Sequence, residues 1–571
     1  MSRKLHEKAR LLLSQEHPIL PLPEFKDRGG DLSIALAFPN RYYTAMSNLG
    51  FQSVYWLFNR APGTVCQRVF LPDPEDLPEY RRTGTPLFSL ESRRAVRSFD
   101  VLAFSVSYEN DYPHLLTMMD LAGIPPLRKA RRQNDPLVAA GGAAVTMNPE
   151  PLAEFVDFFV IGEAEELIGP IADILRNGRG LEKEALLAEL ARLEGIYVPE
   201  FYAAGYKPDG TLESFLPRAG LPPRVKRAWV RDLNAADTVS PIVTANTELS
   251  NMVLVELSRG CRRGCRFCAG CYAYFPYRYR DAQGLEEAAL LARGKAQKVG
   301  LVGAAISDYP HIVGLGRHIL RERIPLSFSS LRVDSLSPEL ADLALQSGQK
   351  TLTLAPEAGS ERMRRGVKKG FTEEDILRAA EILAERGFDS FRLYFMVGLP
   401  GEGREDVKAI VDLTRKIQHH ARVKSSPRRK AEKITVSLNS FVPKPGTPFQ
   451  WHPFEDLRSL REKIKAVREG FRKDRNVTVT ADLPQWAYLQ TLLSRGDRRV
   501  AKFLLAAREL KGNWPQAYRS VDLNPDFYVY RARTYEELLP WDFIDHGVKK
   551  EFLWGEYQSA LREGGKEGEI S

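Results

Sequence analysis

An α/β architecture is predicted: a doubly wound, Rossmann-like domain first, a partial (β/α)6 barrel second and a small C-terminal domain last. Two observations predict it. Short, almost wholly apolar runs alternate with amphipathic stretches from Asp31 to about Gly178, and a second such series runs from Asn251 to about residue 450. Parallel strands buried on both faces read as continuous apolar runs and need crossover helices between them, so the alternation implies parallel sheets. At 571 residues the chain is also too long for one ordinary core.

Residues 1–30 read as an N-terminal extension. The start, MSRKLHEKARLLLSQEHPIL, has one three-leucine apolar run and no small-residue cleavage site, so it does not read as a secretory signal. In the domain at 31–180, LSIALAF (Leu32–Phe38), DVLAFSV (Asp100–Val106), PLVAAGG (Pro136–Gly142) and VDFFVI (Val156–Ile161) are expected strands. MSNLGFQSVYWLFNR, DYPHLLTMMDLAG, PEPLAEF and EAEELIGPIADILR are expected helices. Residues 181–250 read as a linker: GYKPDGTLESF has the form of a hairpin, and the Pro-rich PRAGLPPRV follows.

The barrel at 251–450 rests on six strand candidates, NMVLVEL, KVGLVG, PLSFSS, KTLTLAP, SFRLYFMVG and KITVSLNSF. Amphipathic helices such as LSPELADLALQSG and TEEDILRAAEILAERG separate them, each stopped by glycine. Chemistry in such a barrel belongs at the C-terminal ends of its strands. Residues 451–571 open with a basic helix, EDLRSLREKIKAVREGFRK, and continue as an aromatic-rich tail.

Composition narrows the class. Hydrophobic residues make up 43% and charged residues 27%, the balance of a globular protein. No stretch approaches the roughly 20 apolar residues of a membrane span, so no membrane partner and a cytoplasmic location are expected. The net charge of +9 permits an anionic partner such as RNA, but for 571 residues it is a mild excess that reads first as a solvated basic surface.

Cysteine placement is more informative. Of five cysteines, four (Cys261, Cys265, Cys268 and Cys271) fall within one short stretch immediately after the first barrel strand. Clustering in a long chain points to metal binding rather than to disulfides. Cys66 stands alone and reads as a small buried hydrophobe. In ELSRGCRRGCRFCAGC, Cys261, Cys265 and Cys268 form CxxxCxxC, with Phe267 before the third. Zinc sites usually combine pairs from two places in the chain, and there is no second pair. Iron–sulfur clusters normally take four cysteines, so three thiolates on one loop leave one iron for an exogenous ligand.

These residues resemble the radical S-adenosylmethionine superfamily over about 250–450. The resemblance implies one [4Fe-4S] cluster on Cys261, Cys265 and Cys268, with S-adenosylmethionine on the open iron. It further implies cofactor contacts from Gly303 and Ala304 (in Gly303-Ala304-Ala305, where the family often has a glutamate), Ser330 and Arg332 in SSLRVDSL, Glu357 in LAPEAGSERMRR, and Gly398 and Pro400 in YFMVGLPGE. FVPKPGTPF resembles the family's proline-rich exit from the sixth strand. The spacing of Cys271 allows a fourth ligand or a reactive thiol; it is read as an unremarkable residue, and a structural cluster would instead use it as a fourth ligand.

The segments VLAFSVSYENDYPHLLTMMDLAG and PLVAAGGAAVTMNPEPLAEFVDFFVIGEAEE resemble the cobalamin-binding domain of cobalamin-dependent radical enzymes. Nearly the whole chain looks similar to an uncharacterised bacterial family of this kind. The implied cobalamin contacts are Ser105, Ser107, Gly141, Gly142 and Gly162, the glycines because a ligand can approach a backbone that carries no side chain. The DxHxxG motif that supplies a cobalt ligand elsewhere is absent. Asp111-Tyr112-Pro113-His114 has the wrong spacing, so His114 is expected on a helix surface.

The expected function is formation of a 5′-deoxyadenosyl radical at the cluster, used by a cobalamin-dependent methyltransferase or in a related carbon-centred transformation. The expected partners are a flavodoxin- or ferredoxin-type electron donor and a substrate that is RNA, protein or a small molecule. Three alternatives stand beside it: a methylthiotransferase-like enzyme of tRNA or protein, a cobalamin-free radical enzyme, and an RNA-binding protein with a structural cluster. The basic insert RVKSSPRRKAEK (Arg422–Lys433) speaks for the last.

Overall fold

The computed structural model describes residues 2–22, 32–236, 239–328, 331–425 and 433–565. In its first part five parallel strands and one antiparallel strand form a single sheet. Their order is Thr64–Phe70, Leu32–Phe38, Val101–Ser105, Leu137–Gly141, Phe158–Val160 and Ile196–Tyr197. All seven residues of Leu32–Phe38 are buried, as expected of a strand covered on both faces. The helices Leu49–Arg60, Tyr112–Ala122 and Ile168–Asn177 fall between strands in the sequence. The first starts where the Asn48 side chain accepts the Phe51 N–H, and the second stops at Gly123 in a left-handed conformation. Phe51, Leu115, Leu116, Met118, Met119, Val138 and Phe155 are wholly buried in this core. Each such side chain stabilises the fold by about 1.5–3 kcal/mol.

Several expectations change here. Thr64–Phe70 is a strand that the polar mixture TVCQRVF conceals, and Cys66 is fully buried in it. PEPLAEF is not a helix: it makes one 3-10 turn at Glu150–Leu152, because prolines at 149 and 151 each remove a donor. The stretch expected as a linker carries the hairpin Tyr202–Tyr206 with Leu212–Pro217, and also a helix (Lys183–Leu190) and the sheet's antiparallel edge strand. The N-terminal extension forms helix Arg3–Ser14 and a short strand, Glu16–Pro18, paired with Ile242–Thr244.

The second part holds all six expected barrel strands. Met252–Glu256, Lys298–Val302 and Leu326–Phe328 form one sheet, and Thr351–Glu357, Ser390–Val397 and Lys433–Ser440 belong to another. The second sheet gains a further parallel strand, Val477–Ala481. Along Ser390–Val397 buried positions alternate with more exposed ones, so this sheet buries one face more than the other.

By contact density the chain forms two units. One comprises Met1–Val253, Leu492–Tyr528 and Glu536–Gly547, the other Leu254–Thr491, Val529–Tyr535 and Val548–Ser571. The segment after 451 is therefore not a separate domain. Its pieces are divided between the two units. Among the described residues no helix is long and apolar enough to cross a membrane.

Candidate functional site

The cysteine loop begins where Met252–Glu256 ends. A two-residue strand, Ser258–Arg259, pairs antiparallel with Arg278–Tyr279 and brings the loop back on itself. Gly260 sits at the crossing with φ +77°, and a Cβ there would lie 2.4 Å from the Tyr274 carbonyl oxygen. Only glycine tolerates both that conformation and that approach.

Arginines anchor the loop. Arg259 and Arg280 both donate to Glu256, at 2.9 and 2.7 Å. Arg263 donates to Asp308 at 2.6 Å and to Asp334 at 2.9 Å. Arg266, buried, donates to Glu556 and Glu563 on the helix Lys550–Glu563, at 2.9 and 2.7 Å, and to the Gly366 carbonyl. Charge-assisted bonds of this kind hold a loop at a defined position without secondary structure.

Four thiols meet on this loop. Cys265 and Cys271 are buried, while Cys261 and Cys268 are half-buried. Cys268 caps the short helix Ala269–Ala273, which turns Cys271 back toward the loop. The thiol of Cys271 is in hydrogen-bond contact with those of Cys261, Cys265 and Cys268. The reading of Cys271 as unremarkable is thereby corrected. One helical turn after Cys268 is the distance that returns a side chain to the same face. The neighbouring Cys271 thiol holds the Cys261, Cys265 and Cys268 thiols below the ordinary cysteine range, since its one proton can be donated to whichever of them is ionised. The thiolate is the form that binds iron, so the donor set fits an iron–sulfur cluster. No three or more His, Cys, Asp or Glu side chains among the described residues have the spacing to hold a single metal ion. A cubane is wider than one ion and asks for a different spacing.

Around the thiols lie the charged residues of the later strand ends. Glu357 closes Thr351–Glu357 with φ +66°, a conformation that costs a non-glycine residue on the order of 1–3 kcal/mol. Its carboxylate accepts from the buried Lys369 ammonium at 2.9 Å. Lys369 also lies 5.8 Å from the centre of the Phe267 ring. Arg332 donates to Asp334 and to the Lys369 carbonyl, both at 2.9 Å, and stacks over Phe371. Its guanidinium is thus engaged by the protein itself. Gly303 approaches the Ser258 hydroxyl, which a Cβ would meet at 2.9 Å, and Ala304 is exposed. Ser330 lies outside the described residues, as does most of the insert Arg422–Lys433. Lys369, Asp308 and Asp334 carry no motif and were not legible as site residues.

Gly398 and Pro400 belong to a rigid turn. Gly398 (φ +87°) donates its N–H to Glu402 at 2.7 Å, and Glu402 in turn accepts from Lys463 at 2.9 Å. Burial pushes the Glu402 carboxyl up to about 7, against the pull of Lys463. Its folded value lies above the usual 4.5, so the folded state keeps a proton that the unfolded state releases. Stability should therefore fall as pH rises from about 4.5 to 7, by on the order of 3 kcal/mol from this group. Denaturant titrations of Glu402→Gln should show that part of the slope gone; an unchanged slope would remove Glu402 as its source.

In the first unit the strand order reverses between Leu32–Phe38 and Val101–Ser105, which is where doubly wound sheets bind ligands. Pro39–Tyr43 and Val106–Tyr108 follow these strands. Tyr43 and Tyr108, on the loops that follow these strands, are 52% and 44% exposed. Ser105 is half-buried at its strand end, and Ser107 accepts from Asn48 at 3.1 Å. His114 is half-exposed on its helix and its Nδ1 faces the Pro39 carbonyl at 3.0 Å.

Two of the glycines behave differently from the expectation. A Cβ on Gly142 (φ +112°) would lie 2.5 Å from the Val106 carbonyl oxygen, and one on Gly162 (φ +112°) 2.1 Å from that of Ala228. The protein's own backbone fills both approaches, so these glycines serve chain packing and are not an open cradle. Gly141 makes only ordinary contact with Val160.

Comparison with known proteins adds the following. The family model described as "Radical SAM superfamily" matches residues 255–414, and "Radical SAM proteins, N-terminal" matches 50–199. An uncharacterised protein of Methanocaldococcus jannaschii is 30% identical over 480 residues, 83% of this chain and 90% of that one. An uncharacterised methyltransferase of Pyrococcus horikoshii is 24% identical over 49% of this chain and 58% of its own. Among solved structures, the radical S-adenosylmethionine methyltransferase TsrM of Kitasatospora setae, with cobalamin and a [4Fe-4S] cluster bound, is 18% identical over 72% of both chains, with a TM-score of 0.49.

Proposed function

Because this chain belongs to the radical S-adenosylmethionine superfamily, we propose that Cys261, Cys265 and Cys268 hold its [4Fe-4S] cluster and that the enzyme transfers a methyl group with the help of cobalamin. The observation that carries the first half is the convergence of the loop's thiols beside the C-terminal end of the first strand. When bound, the cluster supplies the electron that splits S-adenosylmethionine, and cobalamin supplies a methyl carrier.

The chain's own residues position and shield. Arg263 and Arg266 hold the cysteine loop against Asp308, Asp334, Glu556 and Glu563. Glu357, in its strained conformation, would offer its carboxylate to the amino group of the cofactor, and Lys369 balances its charge. The turn Gly398–Pro400, fixed by Glu402, would offer backbone groups to the adenine of the cofactor. In the first unit Tyr43, Ser107 and Tyr108, at the point where the strand order reverses, would hold cobalamin.

Support for methyl transfer comes from the Pyrococcus horikoshii relative, which is described as a methyltransferase. A methylthiotransferase would need thiols for a second cluster. Outside the 261–271 loop the only cysteine is Cys66, fully buried in a strand. Members of the superfamily need an electron donor, and the net charge of +9 suits an acidic flavodoxin- or ferredoxin-type protein.

Purified without oxygen and reconstituted, the protein should carry one cluster and one cobalamin per chain, read as iron and cobalt by elemental analysis. Iron without cobalt would leave a cobalamin-free radical enzyme. Glu357→Gln keeps the size of the side chain and removes its charge. It should leave iron content unchanged and weaken S-adenosylmethionine binding by about 10- to 150-fold, the loss of one charge-assisted hydrogen bond. Equal binding in an equilibrium assay would make the Glu357–Lys369 pair a purely structural one.

A further inference from the structure

Cys271 is the fourth thiol of the loop, and the superfamily reading gives it no task. It is 4% exposed, and its thiol touches those of all three proposed cluster ligands. The helix Ala269–Ala273 holds it there: its N–H donates to the Cys268 carbonyl at 3.2 Å, and the neighbouring Tyr272 hydroxyl donates to the Gly264 carbonyl at 3.2 Å. The thiol therefore occupies the point on which the other three converge. A four-iron cubane held by those three cannot share that point with a free thiol. On cluster binding the Cys271 side chain must either turn away or take an iron. Turning away would put a thiol into the surrounding packing, whereas the iron left open by three ligands is in reach of a side chain already in this cage. Arg332 and Lys369, though paired with Asp334 and Glu357, lie near enough to Cys265 to favour its thiolate.

We propose that Cys271 is a displaceable fourth ligand: it binds the open iron in the resting enzyme and yields it to S-adenosylmethionine. The inference rests on the cluster assignment above. The step is a ligand exchange without change of oxidation state. The iron–sulfur bond to Cys271 breaks, the amino and carboxylate groups of S-adenosylmethionine bond to that iron, and the released thiolate takes a proton from solvent. The consequence is a cluster closed to other ligands and to oxidants until the cosubstrate arrives.

Mössbauer spectroscopy of iron-57-reconstituted full-length protein separates the possibilities. Wild type without cosubstrate should show four equivalent thiolate-ligated irons, and Cys271→Ala and Cys271→Ser should show one iron that differs from the other three. Adding S-adenosylmethionine should make wild type and Cys271→Ala alike, and Cys271→Ala should bind it several-fold more tightly because no thiolate competes. A distinct open iron in wild type without cosubstrate would overturn the proposal while leaving the cluster assignment intact. Four equivalent irons that persist with saturating S-adenosylmethionine would overturn the displacement and the proposed function together. A Cys271 variant that no longer takes up iron would show a permanent ligand and so overturn displacement as well.

Discussion

Alanine at Cys261, Cys265 or Cys268 is expected to abolish the cluster, and with it the brown charge-transfer absorbance of the reconstituted protein. Each supplies one of the three permanent thiolates, and without it a cubane keeps only two permanent ligands and the displaceable Cys271, too few to hold four irons. The loop itself should survive, because Arg263, Arg266 and Gly260 fix it independently of any metal. Circular dichroism should thus be unchanged while iron falls to background. Cys66→Ala is the control: this thiol is wholly buried in Thr64–Phe70, and its loss should cost about 1 kcal/mol of stability and no iron. Iron retained by any of the three loop variants at the wild-type level would refute the assignment.

The second large effect is expected at Gly142. A side chain there meets the Val106 carbonyl oxygen at 2.5 Å and the Val106 nitrogen at 3.0 Å, and the backbone has φ +112°. Backbone cannot swing aside as a flexible side chain would. The Val106 N–H is already bonded to the Gly141 carbonyl at 2.7 Å, and the Ala144 N–H to the Val106 carbonyl at 3.2 Å. Overpacking and the forced conformation together should destabilise the first unit by about 2–5 kcal/mol for Gly142→Ala, more for Gly142→Leu. Urea unfolding checks this. Full stability in Gly142→Leu with loss of ligand binding alone would restore the glycine to a ligand-facing role.

That reversal illustrates what the sequence discloses and what it hides. Glycine after a strand announces a close approach, and the approach is real at both Gly142 and Gly162. What approaches is decided by residues far away, Val106 in one case and Ala228 in the other, and no local pattern encodes it. Strands fared better where they were apolar throughout, as in Leu32–Phe38, because burial on both faces leaves no other reading. Thr64–Phe70 was missed for the opposite reason: its Gln67 and Arg68 are buried through partners elsewhere, Arg68 between Glu16 and Glu91. In the site, CxxxCxxC was legible because spacing alone places three thiols on one loop. The convergence of Cys271 was not, since it depends on a five-residue helix starting at Cys268. Nor was Lys369, whose role comes only from the fold bringing it to Glu357.

The central claim is that this loop, loaded with its cluster, cleaves S-adenosylmethionine. The direct measurement is the quantity of 5′-deoxyadenosine formed when the anaerobically reconstituted full-length protein is reduced with dithionite in the presence of S-adenosylmethionine. Wild type should form it together with methionine, and the Cys261, Cys265 and Cys268 alanine variants should form none. Wild type with a full complement of iron that releases no 5′-deoxyadenosine and no methionine, with or without a candidate substrate, would contradict the account.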